Sequence, residues 1–434
     1  MTSSANDHRP QRPRQAGAHP APPAPRVRRP GRASLHALPP LAVALSALAL
    51  ISCVGAAGRP GAAGQSGGRS PAAPTTDASG SAGSPSAVTS PAALPNLTPA
   101  QKAGQRVIYS YSGLQPPATL LSWIRHGQVG GVIFFGGNIS SPAQIAGVIK
   151  QLDQANASAA NPLRAVPLLL MTDQEGGVVR RLPGRPFASE KQIGEEAHPA
   201  AAAKAAGTGA GQNLAGVGMN VNLAPVLDVY RTAGDFDDQF GRSYSTSPQV
   251  VSALGADFIK AQQATGVAAT AKHFPGLGAA SSTQDTDARP VTLNVGLHAL
   301  RTIDEYPYRA AIAAGVKLVM LSWAVYPALA RSTPAGLSSA VVNGELRDRL
   351  GFRGVTITDA LEAGALQAFG TTGHRATLAA RAGMDLILCS GQRASQGRLA
   401  RSALATALSS GALSASVFDA ALTRVIALRT GLRG

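Results

Sequence analysis

The residues best suited to chemistry stand where two apolar runs of this sequence end. Lys272 and His273 follow the run Ala268–Ala271 and precede a Pro-Gly-x-Gly turn. Asp359 follows the run Val355–Thr358. In parallel α/β enzymes the carboxyl ends of the strands carry the substrate contacts. A Lys-His pair and a carboxylate at two such ends therefore predict a site that binds a polar substrate and uses a carboxylate in catalysis.

Other apolar runs also end in polar side chains, namely Asp173, Glu175, Asp228 with Arg242 a little further on, and Ser322. Each of these alone could be only the cap of the next helix, and the Lys-His pair could be purely structural. Several carboxylates at consecutive strand ends, without the His/Cys spacing of a metal site, favour carboxylate-based hydrolysis over metal catalysis. No Gly-rich phosphate loop follows a strand, so we expect neither a metal nor a cofactor.

The elements that must position these residues recur regularly along the chain. The predicted strands are Arg106–Tyr111, Gly131–Phe135, Val166–Met171, Asn220–Val226, Ala268–His273, Leu318–Ser322, Val355–Thr358 and Leu386–Cys389. The clearest predicted helices between them are Pro142–Asn156, Pro199–Ala215 and Gln249–Thr265. Eight strands with helical crossovers predict an α/β fold, a single (β/α)8 TIM-type barrel within residues 96–434.

Residues 1–53 have the pattern of an export signal. An arginine-rich leader precedes the apolar run Leu41–Ile51, which as a helix would span only about 16 Å, too short for a membrane span. Leu50-Ile51-Ser52-Cys53 resembles a bacterial lipobox, which implies lipidation of Cys53 and anchoring to the cell membrane. The alternative is an ordinary secretion signal with an incidental cysteine.

Residues 54–95 consist mainly of Gly, Ala, Ser, Pro and Thr and predict a disordered tether, because they cannot bury enough apolar surface to fold. The formal net charge is +16, but aromatic residues are only 4% and no Lys/Arg run is interleaved with them, which argues against nucleic-acid binding. With Cys53 as the anchor, Cys389 has no disulfide partner in the folded part, and its apolar strand predicts a core position.

Four motifs in order resemble glycoside hydrolase family 3, in its β-N-acetylhexosaminidase branch. They are Asp173-Gln174-Glu175-Gly176-Gly177, Ala224-Pro225-Val226-Leu227-Asp228, Lys272-His273-Phe274-Pro275-Gly276 and Thr358-Asp359-Ala360-Leu361. The Lys-His-Phe-Pro-Gly form is typical of this branch, since β-glucosidases of the family diverge after Lys-His-Phe. The resemblance extends from Leu97 to Leu432.

The resemblance implies roles for individual residues. Asp359 would be the nucleophile that forms a glycosyl-enzyme ester in a retaining mechanism. Lys272, His273, Asp173 and Arg242 would bind the sugar. Without the resemblance, Asp359 could be only a helix cap.

The chain departs from the family at the general acid/base. The branch usually carries Asp-Ser-His after a Pro-Gly-His-Gly turn, with the His as acid/base. Here the turn is Pro275-Gly276-Leu277-Gly278 and the triplet is Asp285-Thr286-Asp287. Asp287 could replace the His if a neighbouring carboxylate or burial raises its pKa. Alternatively both aspartates are solvated loop residues. His374 is interpreted as a residue at a helix start.

Two classes of function are consistent with these predictions. The first is an exported, monomeric, lipid-anchored hydrolase facing the cell wall that removes terminal β-linked N-acetylglucosamine from peptidoglycan-type glycans. A β-glucosidase-type specificity is the alternative within this class. The second class is a non-catalytic glycan-binding barrel, which the intact Asp359 and Lys272 motifs disfavour.

Overall fold

The computed structural model describes residues 96–432. The predicted signal segment (1–53), the tether (54–95) and the proposed lipidation site Cys53 lie outside the described residues. Within residues 96–432, no helix combines the length and the apolar character needed to cross a bilayer.

Eight parallel strands form the centre of the molecule. In chain order they are β1 (Val107–Tyr109), β2 (Gly131–Ile133), β3 (Leu169–Thr172), β4 (Val221–Asn222), β5 (Ala268–Phe274), β6 (Leu318–Leu321), β7 (Val355–Thr358) and β8 (Ile387–Leu388). Each strand pairs with the next, and β8 pairs with β1 through Val107 and Ile387. A parallel bridge between Ile357 and Leu386 joins β7 to β8. The sheet therefore closes into the predicted (β/α)8 barrel.

Helices surround this barrel. They are Pro99–Gly104, Ala118–Arg125, Pro142–Asn156, Glu190–Glu195, Pro199–Ala215, Phe236–Gln239, Pro248–Gln263, Leu297–Ala299, Tyr306–Ala313, Thr372–Ala382, Ala394–Ser409 and Ala415–Gly431, with π-helical segments Leu300–Asp304 and Ala340–Arg349 and 3₁₀ turns Gly136–Asn138, Ala335–Leu337 and Gly364–Phe369. The helices predicted at Pro142–Asn156 and Pro199–Ala215 are confirmed residue for residue. The helix predicted at Gln249–Thr265 runs from Pro248 to Gln263, after the cap Ser247.

The observed strands are mostly shorter than the predicted ones, and proline explains the largest difference. The fourth strand was expected to reach Val226, but its regular pairing ends at Asn222. Pro225 has no N–H to donate to a neighbouring strand, so the ladder is interrupted there. The backbone still follows β5, because Val226 and Lys272 form an isolated parallel bridge.

Two apolar layers hold the barrel. Its interior is filled by aliphatic side chains from the strands, including Ile108, Met171, Val221, Met320 and Ile357. A larger cluster packs the outer faces of the strands against the helices. Cys389 is fully buried, as its apolar strand predicted. His374 is exposed in the first turn of its helix, also as predicted.

A buried ion cluster ties the closing strands to the helices. Asp385 is fully buried, and its carboxylate lies 2.6 Å from Arg347 Nη2 and 2.8 Å from Arg424 Nη2. Asp385 Oδ2 also accepts a hydrogen bond from the backbone N–H of Thr356 in β7. Removing one member of such a cluster leaves buried charge without compensation.

We predict that Asp385→Ala lowers the free energy of unfolding by about 3–5 kcal/mol, because Arg347 is left buried without its counter-charge. Urea denaturation of the purified protein measures this change. The matched control is Asp419→Ala, which removes the partly exposed ion pair with Lys102. That control should change stability by at most about 1 kcal/mol. Equal effects of the two substitutions would contradict the prediction.

Candidate active site

The carboxyl ends of the strands surround a pocket of about 420 Å³. All of the sequence-predicted catalytic and substrate-binding residues line it: Asp173, Arg242, Lys272, His273, Asp285, Asp287 and Asp359. The pocket floor is apolar and is made by the barrel-interior side chains Ile133, Leu223, Met320 and Leu388. The pocket therefore lies at the end of the barrel where TIM-barrel enzymes carry their active sites.

Lys272 forms the centre of the basic side of the pocket. It lies on β5 and is almost fully buried, with Nζ 2.9 Å from Asp173 Oδ1 and 2.7 Å from Glu175 Oε1. Burial alone would lower the pKa of Lys272, but the charges of these two carboxylates outweigh it and raise the pKa. Lys272 is therefore a fixed ammonium group that can donate to a bound polar ligand.

Arg242 extends this basic side. Its guanidinium makes two hydrogen bonds to Glu175, each 2.9 Å long, and a third of 3.0 Å to Asp237 Oδ1. Glu175 is buried, which by itself raises a carboxyl pKa, but Arg242 and Lys272 lower the pKa of Glu175 to about 2. Glu175 therefore stays ionised and keeps both cations in place.

His273 is oriented by a buried carboxylate. Its Nδ1 lies 2.7 Å from Asp228 Oδ2, while Asp228 Oδ1 accepts backbone N–H groups from Leu277 (2.6 Å) and His273 (3.3 Å). Burial opposes protonation of the imidazole, but Asp228 outweighs it and raises the pKa of His273. Because Nδ1 is engaged with Asp228, Nε2 is the ring atom left for a ligand.

Asp359 follows β7 and is held by its own turn. Its Oδ1 accepts the N–H of Ala360 at 2.7 Å, and its backbone N–H donates to Leu321 O at 3.3 Å. The indole of the buried Trp323 donates to Ala360 O at 2.8 Å. These bonds fix the turn that presents the Asp359 carboxylate to the pocket.

The segment Asp285–Asp287 lies at the mouth of the pocket, on the side of Asp359. Asp285 Oδ1 accepts the backbone N–H of Asp287 at 2.8 Å. Residue Asp287 has an exposed surface at the mouth, yet its carboxyl group is partly desolvated and faces other carboxylates. This desolvation, then the charge of Asp359, then that of Asp285, raise the pKa of Asp287 to about 7.

The raised pKa of Asp287 has both of the causes considered on the sequence, which are burial and a neighbouring carboxylate. On the sequence, mutual repulsion with Asp285 could supply the second cause, because the two residues are close along the chain. In the structure the largest contribution is desolvation, and the more distant residue Asp359 contributes more than Asp285 does. The raised pKa of Asp287 therefore depends more on where the loop docks than on the charged residues within the loop.

Several lining residues were not selected from the sequence. Arg181 lies two positions after Val179, and both line the pocket from the hairpin of strands Gln174–Gly176 and Val179–Arg180, which was not predicted. Glu362 lines the opposite wall and accepts hydrogen bonds from Ser390 Oγ (2.7 Å) and Gln396 Nε2 (2.9 Å). The two strands of this hairpin are only three and two residues long, which is too short for an alternating pattern of apolar and polar residues to identify them from the sequence.

Asp228, Asp237 and His273 are the one group of described residues whose ligand atoms lie close enough together, within 4.8 Å, to surround a cation. Both oxygens of Asp228 already accept hydrogen bonds, and Asp237 lies against the Arg242 guanidinium. A further cation there would meet the positive charge of Arg242. The group is better suited to hold a proton, since Asp237 Oδ2 is buried without a hydrogen-bond partner.

Comparison with known proteins places this pocket in context. The profile described as the glycosyl hydrolase family 3 N-terminal domain matches residues 100–428. An uncharacterised secreted glycosyl hydrolase of Arthroderma benhamiae is 46% identical over 349 residues, which is 80% of this chain and 97% of that protein. A β-hexosaminidase of Xanthomonas oryzae pv. oryzae is 32% identical over 290 residues, covering 65% of this chain and 82% of that one.

Solved structures agree with these relatives. The family 3 β-N-acetylglucosaminidase from Paenibacillus sp. str. FPU-7 superposes with a TM-score of 0.73 at 36% identity and covers 78% of this chain. This chain spans only 64% of that protein. The β-N-acetylhexosaminidase from Beutenbergia cavernae superposes with a TM-score of 0.69 at 31% identity, over 77% of this chain and 99% of that one.

We predict that the free energy of unfolding of Asp237→Asn rises relative to that of the wild type as the pH rises. Burial and the charge of Asp228 raise the pKa of Asp237 to about 7, above that of an unfolded aspartate near 3.9. The contribution of the folded-state proton is present at low pH and is lost as pH rises through about 7. Relative to the wild type, the variant should gain about 1–3 kcal/mol between pH 5 and pH 8.

Urea denaturation of both proteins at pH 5 and pH 8 measures this difference. Asp235→Asn on the same segment is the control, because it makes the same chemical change at a partly exposed residue outside the buried group. A pH-independent effect of Asp237→Asn would show that Asp237 is ionised throughout this range.

Proposed function

The chain belongs to glycosyl hydrolase family 3, and from this premise we propose that it is a retaining exo-hydrolase that removes terminal β-linked N-acetylglucosamine from cell-wall-type glycans. The observation that carries the proposal is the arrangement of the pocket. One side presents fixed cations, Lys272 and Arg242, and the other presents the carboxyl groups of Asp359 and Asp287.

Sugar recognition is assigned to the basic side. Lys272, His273 and Arg242 donate hydrogen bonds, and Asp173 accepts them, which together match the hydroxyl groups of a pyranose. Arg181 is added to this set because it lines the same wall. Since these groups already hold one another by ion pairs, the wall is ordered before a ligand arrives, which limits the cost of binding.

Catalysis is assigned to the two carboxyl groups. Asp359 attacks the anomeric carbon while Asp287 gives its proton to the glycosidic oxygen, so that the aglycone leaves as an alcohol and a glycosyl–Asp359 ester forms. Asp287, now ionised, then takes a proton from water, whose oxygen attacks the anomeric carbon and releases Asp359. A pKa of about 7 suits a group that must donate a proton in one step and accept one in the next.

The relatives support the choice of sugar. The Xanthomonas relative is a β-hexosaminidase and the Paenibacillus neighbour is a β-N-acetylglucosaminidase. A β-glucosidase-type specificity and a non-catalytic glycan-binding barrel are the alternatives. The Arthroderma relative is described as secreted, which supports export. We further propose that Cys53 is lipidated and that the monomeric barrel faces the cell wall at the end of the tether.

We predict that the protein hydrolyses 4-nitrophenyl β-N-acetylglucosaminide and that Asp359→Ala lowers kcat by more than about 10³-fold, because no ester can form. The measurement is release of 4-nitrophenol from this substrate beside the corresponding β-glucoside. Asp348→Ala, which removes an exposed carboxylate outside the pocket, is the control. Turnover of the glucoside alone would replace the proposed specificity, and turnover of neither would favour a binding protein.

We predict that kcat/KM falls as pH rises through about 7, because only protonated Asp287 can donate to the leaving group. Asp287→Asn should abolish this basic limb. It should also lower kcat/KM for the methyl glycoside by about 10²–10⁴-fold, while kcat/KM for 2,4-dinitrophenyl glycosides, whose leaving group needs no proton, changes little. The measurement is the pH–rate profile of the wild type and of Asp287→Asn on each glycoside. An unchanged basic limb in Asp287→Asn would mean that another group is the acid.

A further inference from the structure

The loop that carries Asp287 is docked on the turn that follows Asp359. We propose that Gly364 is a positioning residue: its lack of a side chain lets this loop dock, and the docking holds the Asp287 carboxyl over the glycosidic oxygen. The inference rests on the proposed function, because it assumes that Asp287 is the acid/base.

Two backbone hydrogen bonds make the contact. Gly364 N–H donates to Asp287 O at 2.7 Å, and Ala365 N–H donates to Thr286 O at 3.0 Å. Thr286 is buried in the contact, whereas its neighbours Asp287 and Ala288 are largely exposed. The middle of the loop is thus attached to the barrel at the same residues that carry the candidate acid.

The contact leaves no space for a side chain at position 364. A Cβ there would lie 2.2 Å from Ala288 O and 2.4 Å from Ala288 C. Both are backbone atoms, so rotation of a side chain cannot relieve the overlap. Gly364 does not have a left-handed φ angle, so the requirement for glycine is one of space rather than of backbone conformation.

The turn at Gly364 is the more rigid of the two partners. Ala363, Ala365 and Leu366 are all buried in the core. The loop residues from Ser281 to Thr283 are exposed, and this part of the loop is attached by single hydrogen bonds, from Phe236 N–H to Ala280 O at 2.9 Å, from Gln239 Nε2 to Ser282 O at 2.9 Å and from Arg289 to Thr283 O. A side chain at position 364 would therefore displace the loop and not the turn.

Displacement of the loop should impair Asp287 and leave Asp359 unaffected. Asp359 is held by Ala360, Leu321 and Trp323 through contacts that do not include Gly364. The nucleophile should therefore keep its place when the loop moves. Asp287 should lose both its position and the desolvation and Asp359 charge that raise its pKa. Only proton transfer should suffer.

The test compares Gly364→Ala with Asp287→Asn and with Gly296→Ala. Gly296 has open space around its Cβ position and an ordinary φ of −65°, so it is the matched control for a glycine substitution near the same loop. Each full-length protein is assayed on the methyl and the 2,4-dinitrophenyl β-N-acetylglucosaminides across pH 5–9.

We expect Gly364→Ala to lower kcat/KM for the methyl glycoside by about 10²-fold or more and to weaken the basic limb, with little change in kcat/KM for the dinitrophenyl glycoside. Adding Gly364→Ala to Asp287→Asn should cost little more, since both remove the same proton transfer. Gly296→Ala should match the wild type. Equal losses of kcat/KM on both glycosides, or a wild-type kcat/KM on the methyl glycoside, would overturn the inference.

Hydrogen exchange of the wild-type protein tests the docking without any variant. The amides of Gly364 and Ala365 should exchange slowly, because both are bonded to the loop. Exchange at the rate of an unstructured peptide would overturn the inference. The wild-type assay with Asp359→Ala reports separately on the proposed function, so a failure of that function is recognised independently of the loop.

Discussion

The pocket depends on one electrostatic constraint, which is the need to neutralise a buried ammonium group. Lys272 lies at the end of β5 with almost no exposure to water, and an isolated charge in such a place would lose its proton. Asp173 and Glu175 compensate it, and Glu175 in turn orders Arg242. The basic wall is therefore a network in which each charge requires the next.

The same constraint separates the carboxyl groups into two populations. Glu175 lies between Arg242 and Lys272, and Asp228 accepts hydrogen bonds from His273 and from backbone N–H groups. The pKa of each is lowered, so both act as counter-charges. Asp287 lies across the pocket, where desolvation and the charge of Asp359 raise its pKa. Carboxyl groups of the same chemical type thus serve as counter-ion and as candidate acid because of where the fold places them.

Close contact between the main chains of neighbouring loops is the second constraint around the site. A Cβ at Gly278, just after the Lys-His strand, would lie 2.0 Å from Val229 O, and one at Gly364 would lie 2.2 Å from Ala288 O. These glycines let neighbouring loops of the rim touch through their main chains. Loops packed in this way position side chains from distant parts of the chain with little freedom, which the proposed catalysis by two carboxyl groups requires.

The sequence by itself predicted the barrel and most of the residues that line the candidate site. The periodicity of apolar residues in strands and helices is a local property. Eight strands and the helices Pro142–Asn156 and Pro199–Ala215 could therefore be predicted from the sequence. Lys272, Asp173, Arg242 and Asp359 follow from motifs at strand ends. The length of β4 could have been predicted better, because Pro225 is visible in the sequence and interrupts the ladder.

Only the tertiary structure decided the environments of these residues. The cause of the raised pKa of Asp287, the inclusion of Arg181 and Glu362, and the need for glycine at position 364 depend on contacts between residues far apart in the chain. Coulomb energies and desolvation vary with distances in space, and sequence spacing does not contain those distances. The chain therefore specifies which groups are present locally, and the closed barrel determines what each can do.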